Sequence, residues 1–78
     1  SIALVGMEVA SERYVEVVRA LEALDEVERL YSSSGDHTLM AEVRAEDGGA
    51  LGDVIQESIL SIAGVTAAHP SFLQERLK

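Results

Sequence analysis

Cysteine is absent from this chain of 78 residues. Its absence excludes disulfide bonds and thiolate metal sites, and the two histidines are too few for a structural zinc site without carboxylate ligands. A domain of this length buries only about 60% of the surface that its unfolded chain exposes. We therefore expect one domain, residues 1–78, that gains stability by forming oligomers.

Long apolar runs are also missing from the sequence. The run at residues 2–7 is much shorter than the roughly 18 apolar residues of a membrane span. It also lacks the basic flank of a signal peptide. These two absences favour a cytoplasmic protein.

Basic residues are scarce, and Lys78 is the single lysine beside five arginines. The net charge of −8 and the pI near 4.5 oppose contact with phosphate backbones, so we expect no direct binding of nucleic acid. Many carboxylates with few lysines favour adaptation to a salty cytoplasm, where ions screen the self-repulsion of the protein. An ordinary acidic domain is an equally compatible alternative.

The first third of the chain predicts a strand followed by a helix. Residues 2–9 are apolar at nearly every position, which indicates a strand covered on both faces. Ser11 fits the N-cap of a helix over residues 11–24, with Glu12 favourably placed in its first turn. The apolar side of this amphipathic helix consists of Tyr14, Val17, Val18, Leu21 and Leu24.

A hairpin is predicted next, from strands over residues 27–33 and 37–45 joined by the turn cluster SSSGD at residues 32–36. In its second strand Leu39, Ala41 and Val43 share one face. The triplet DGG at residues 47–49 then begins a second helix. The apolar stripe of that helix consists of Leu51, Val54, Ile55, Ile59 and Ile62.

Gly64 fits the glycine that follows a helix end, and a last strand over residues 65 to about 77 contains Pro70. Proline donates no ladder hydrogen bond, so this strand belongs at a sheet edge or contains a bulge. The order β-α-β-β-α-β predicts an α+β fold in which two right-handed crossovers place both helices on one face of a four-stranded antiparallel sheet. The other sheet face is then bare, and a partner is expected to cover it.

The element order together with the hairpin sequence SGDHTL, residues 34–39, resembles the C-terminal effector (RAM) domain of the Lrp/AsnC transcription regulators. The opening apolar strand, LDEV at residues 24–27 and IAGV at residues 62–65 are also similar to that family. The resemblance implies a ferredoxin-like subunit that dimerises through its sheet face, with dimers often joined into rings of eight. It further implies that an amino acid binds between dimers near the Gly-Asp hairpin and changes assembly and DNA binding.

The resemblance also implies a set of ligand-binding positions. Gly35 and Asp36 match the family's Gly-Asp pair, and a carboxylate suits the ammonium group of an amino acid. Thr38 stands where members often have a second aspartate, and Ala68 and Pro70 stand where they often have threonines. The implied set is Gly35, Asp36, His37, Thr38, Ala68 and Pro70.

Alternatives remain at these positions. Gly35 and Asp36 have a structural explanation, in which the glycine supplies a positive φ and the aspartate caps the turn. The non-acidic Thr38 and the apolar Ala68 and Pro70 favour a purely structural assembly module that pairs with a full-length regulator. Because the family's helix-turn-helix has no counterpart here, the sequence indicates an excised fragment or a stand-alone effector module.

The sequence predicts neither an enzyme nor a cofactor. No serine has a paired base, and the apolar helix stripes argue against the polar cleft that an enzyme of the α+β-barrel dimer type requires. A metal site made of Asp36, His37 and His69 would require distant residues to meet, so no metal is predicted.

Overall fold

The computed structural model describes residues 1–78 as the predicted β-α-β-β-α-β fold. The strands are β1 (Ile2–Val9), β2 (Val27–Ser32), β3 (Leu39–Arg44) and β4 (Val65–Leu73). A 3-10 turn (Ser11–Arg13) leads into α1 (Tyr14–Glu22), and α2 (Gly48–Asp53) continues as a π-helical segment (Val54–Ile59). The sheet order is β2-β3-β1-β4, and all three strand pairs are antiparallel. Neither helix has the length and apolar character that crossing a membrane requires.

The start of the first helix differs from the prediction. Ser11 lies inside the 3-10 turn, no side chain caps that turn, and the residue before it is Ala10. The backbone N–H of Ala10 donates to the carbonyl oxygen of Gly64 at 2.8 Å, so the chain is already anchored to the other crossover before Ser11. The prediction that Ser11 is the N-cap was therefore wrong.

The second helix begins as predicted, because the Asp47 side chain accepts a hydrogen bond from the Ala50 N–H at 2.8 Å. Its second half widens into π-helical turns, which the sequence did not predict, and the Leu60 N–H donates to the Ile55 carbonyl. Gly64 ends this crossover with a φ of 106°, as its position predicted.

The last strand is shorter than predicted and ends at Leu73. Leu73 pairs with Ile2, the first residue of β1, so β1 offers no partner beyond that point. Because β4 is an edge strand, it accommodates Pro70 as expected.

The helices and one face of the sheet enclose the core. The alternating residues Ala3, Val5 and Met7 of β1 are fully buried there. Helix and strand neighbours complete a cluster of 11 buried apolar residues: Ala3, Val5, Met7, Val17, Leu21, Leu39, Ala41, Val43, Leu51, Ile55 and Ile59. The predicted helix stripes and the predicted inner face of β3 are thus confirmed.

The opposite face of the sheet has no covering layer within this chain. Leu4, Tyr31 and Leu73 on it are 39%, 52% and 52% exposed. We call this surface the open sheet face; the strand registers assign to it Ile2, Leu4, Gly6, Glu8, Arg29, Tyr31, Met40, Glu42, Arg44, Ala67, His69, Ser71 and Leu73. The expected cover on both sides of β1 is therefore present on one side only within residues 1–78.

Candidate functional site

The hairpin segment, residues 33–38, places Gly35 and Asp36 at one end of the sheet, where both are exposed. The structural explanation offered for this pair is wrong. Gly64 is the one residue with a positive φ. The turn closes instead through the Ser33 N–H, which donates to the Thr38 carbonyl at 3.0 Å, and the Gly35 N–H donates to Ser33 Oγ at 3.3 Å. The Asp36 carboxylate makes no hydrogen bond or ion pair within the chain, so it is available to a ligand.

Thr38 and Ala68 lie on either side of Met7 near the end of β1. The Thr38 N–H donates to the Met7 carbonyl at 2.9 Å, and Ala68 pairs with Met7 from β4. Ala68 packs against the core, whereas Pro70, opposite Val5, is exposed. Both project toward the helix side of the sheet, so the structure separates these two residues from the open sheet face.

His37 extends from the hairpin segment over the open sheet face. A Cβ atom on Gly6 would overlap the His37 ring, so only glycine at this point of β1 leaves room for the imidazole. His37 Nδ1 forms a 2.7 Å hydrogen bond with one carboxylate oxygen of Glu8. Glu8 follows Gly6 by two residues in β1 and lies on the same face of that strand. The side chain of His37 is 30% exposed, so the contact is partly shielded from water.

His69 reaches the same carboxylate from β4, where it pairs with Gly6. Its Nε2 atom lies 2.7 Å from the other oxygen of Glu8, and the two imidazole rings are 5.1 Å apart between centroids. We call Glu8, His37 and His69 the histidine cluster. Its ligating atoms all lie within 4.8 Å of one another.

Glu8 is the residue that the sequence analysis missed. The structure does bring His37 and His69 together, but with Glu8 and not with Asp36, the third residue of the metal site that the sequence analysis considered and did not predict. One signal was available, since Glu8 is the only charged residue in β1 and follows its only glycine by two positions. A carboxylate and a glycine on the same strand face indicate a side chain that packs across the strand.

The pKa of the Glu8 carboxyl is lowered below its ordinary value. The hydrogen bond with His37 is the largest cause, partial desolvation opposes it, and the hydrogen bond with His69 adds to the lowering. The cluster therefore holds an ionised carboxylate between two imidazoles over most of the pH range.

The clefts of the single chain lie elsewhere. The main one, of about 540 Å³, is at the opposite end of the sheet between Ile2, Leu51 and Phe72. None of the three clefts is lined by the six predicted ligand residues. The hairpin end therefore has no cleft of its own within residues 1–78.

The fold is that of a ferredoxin-like subunit with an open sheet face and an exposed Gly-Asp hairpin. The family model of the Lrp/AsnC ligand binding domain matches residues 2–78, and the chain belongs to this family. The resemblance in the sequence and the predicted fold class are thereby confirmed.

Relatives agree with this assignment. The chain is 73% identical over 78 residues to the HTH-type transcriptional regulator LrpA1 of Halobacterium salinarum, covering all of this chain and 55% of the relative. It superimposes on E. coli AsnC with a TM-score of 0.91 at 22% identity, over 99% of this chain and 52% of that one. A Neisseria meningitidis transcriptional regulator solved as a complex with L-Met gives a TM-score of 0.89 at 19% identity, covering 99% and 51%. The chain spans about half the length of the curated relatives it matches.

Proposed function

We propose that this chain is the effector-binding and oligomerisation domain of an Lrp/AsnC-type transcription regulator, which binds a small metabolite, an amino acid, at subunit interfaces. The observation that carries the proposal is the open sheet face, which ends at a hairpin whose Asp36 carboxylate is exposed and unpaired. Family membership supports it, because the matched family is described as a ligand binding domain.

The open sheet face is the proposed dimer surface. It presents Leu4, Tyr31 and Leu73 to solvent. The other face of the same sheet packs against the helices in a core of 11 buried residues. A second copy placed sheet against sheet would remove these apolar side chains from water. Rings of eight would then assemble from such dimers.

The effector is proposed to bind where the hairpin segments of neighbouring subunits meet. Asp36 supplies a carboxylate for the ammonium group of an amino acid, and Thr38 supplies a hydroxyl beside it. The complex of the Neisseria regulator with L-Met supports an amino acid as the class of ligand. His37 stands at the edge of this site through its contact with Glu8.

The chain is proposed to act without catalysis and without touching DNA itself. Its relatives are named as transcriptional regulators, and its net charge of −8 opposes contact with phosphate. A cytoplasmic location and adaptation to high salt are parts of the same proposal, as is pairing with other Lrp/AsnC-type subunits.

One observation favours a purely structural assembly module as the second candidate. Ala68 and Pro70 project toward the helix side and offer no polar group to a ligand, so an effector carboxylate would depend on backbone N–H groups. The two candidates share the dimer and differ only in the ligand.

Titration calorimetry of the purified domain with each of the common amino acids separates the candidates. We expect heat from one or a few amino acids, and we expect Asp36→Asn to weaken that binding at least about tenfold because a charged hydrogen bond is lost. Asp53→Asn, which removes the same charge from an exposed site on α2, is the matched control and should bind as the parent does. Heat from no amino acid would leave the structural module as the function.

A further inference from the structure

The histidine cluster contains more chemistry than the effector proposal uses. Two imidazole nitrogens and a carboxylate converge on one point of the open sheet face, and no other group of three such side chains does so in this chain. We propose that Glu8, His37 and His69 form a binding site for a divalent transition metal ion of the Zn²⁺ class.

The donor set suits such an ion. Two histidines and one carboxylate are a known set of three protein ligands for zinc, with a fourth position left open. Imidazole nitrogen also selects Zn²⁺, Co²⁺ or Ni²⁺ over Ca²⁺ and Mg²⁺, which prefer oxygen ligands. The ring atoms that face Glu8 are His37 Nδ1 and His69 Nε2, so these are the proposed ligand atoms.

The distances permit the site with small side-chain movements. In a tetrahedral site with bonds of about 2.0 Å, ligand atoms are about 3.3 Å apart. Here they lie within 4.8 Å of one another, so they have to approach by at most about 1.5 Å. The His69 side chain is 58% exposed and can rotate inward, while Glu8 already faces both rings.

The backbone around the cluster favours a preformed arrangement. Glu8 and His69 lie on the adjacent strands β1 and β4. Gly6, which pairs with His69, lies beneath the His37 ring. A methyl group at Gly6 would displace the ring, so the strand is shaped for this imidazole. The net charge of −8 also attracts cations to the surface.

The ion would replace the two hydrogen bonds that now join Glu8 to the imidazoles. Its open position would point away from the strands, and a water molecule would complete the coordination there. This proposal replaces the expectation from the sequence that the chain holds no metal, and it does not depend on the effector.

Calorimetry with Zn²⁺ alone, on chelator-treated protein at neutral pH, tests the proposal. We expect one ion per chain, and we expect Co²⁺ to give the intense visible absorption of a tetrahedral site. His69→Ala and Glu8→Gln should each weaken Zn²⁺ binding at least about tenfold, the loss that even an outer-shell partner causes. Glu42→Gln removes one charge from the same sheet face and should leave the affinity unchanged.

A second pair of variants tests the geometry without touching a ligand atom. Gly6→Ala should also weaken Zn²⁺ binding, because its methyl group displaces the His37 ring. Gly52→Ala is the matched control, since a Cβ there meets nothing within 4 Å. Circular dichroism should show both variants folded.

Three outcomes would overturn the metal site. These are the absence of binding up to millimolar Zn²⁺, half an ion per chain, and an affinity that His69→Ala and Glu8→Gln leave unchanged. Each is independent of the amino-acid titrations, so failure of the metal site and failure of the effector proposal can be told apart.

Discussion

The two faces of β1 show how differently one strand can be used. On the helix side Ala3, Val5 and Met7 are fully buried. On the other side Leu4 is 39% exposed and Glu8 binds two histidines. The covered face therefore provides the core of the fold, whereas the open face leaves apolar and charged side chains accessible.

The largest expected effect lies on the covered face. Ile59→Ala removes a fully buried side chain from the π-helical segment, and we expect it to lower the free energy of unfolding by about 2–5 kcal/mol. Urea denaturation followed by circular dichroism measures this change. A loss below about 1 kcal/mol would show that the segment repacks around the smaller side chain and that the packing of the covered face does not depend on Ile59.

On the open face, substitution should change assembly more than folding. Leu4→Arg places a charge in the proposed dimer surface, where burial of that charge is costly. Within one chain, Glu42 on the neighbouring strand can pair with the new arginine, so the fold itself should tolerate the change. We expect the dimer to dissociate at least about tenfold more readily while the fold persists, as measured by light scattering over a concentration series. Val15→Arg, at a 60% exposed position on α1, is the control and should leave the dimer intact. An unchanged dimer in Leu4→Arg would mean that the interface lies elsewhere.

The smallest expected effect is the pH dependence of the histidine cluster. Because the folded pKa of Glu8 is lowered, its hydrogen bonds contribute stability above the ordinary pKa of 4.5, and this contribution is lost as the pH falls through the folded pKa. Glu8→Gln should therefore be less stable than the parent at neutral pH, and the difference should vanish in strong acid. Thermal melts of both proteins in metal-free buffer at several pH values measure it. A constant difference at every pH would show that the charge of Glu8 contributes nothing.

The same contrast explains what could be predicted from the sequence. The apolar run over residues 2–9 predicted β1, and periodic apolar residues predicted the helix stripes and the inner face of β3, because burial against one core leaves a regular pattern. Ser11 failed as an N-cap because a long-range hydrogen bond between Ala10 and Gly64 sets where the chain turns. The end of β4 depended on where its partner β1 begins, which local sequence does not show.

The site was harder to predict than the fold. His37 and His69 were singled out separately, but their meeting at Glu8 depends on the register of β4 on β1 and on the path of the hairpin segment. Neither leaves a local pattern. Gly6 was the one residue that marked the place, since a glycine inside an apolar strand indicates close approach by another group.

Sedimentation velocity of the domain at micromolar concentration, with and without amino acids, measures whether the open sheet face holds an assembly that responds to a ligand. We expect a dimer or a larger ring that is held by the open sheet face and whose size shifts with at least one amino acid. A monomer that stays monomeric with every amino acid would contradict it, because Leu4 and Tyr31 would then remain exposed with no partner.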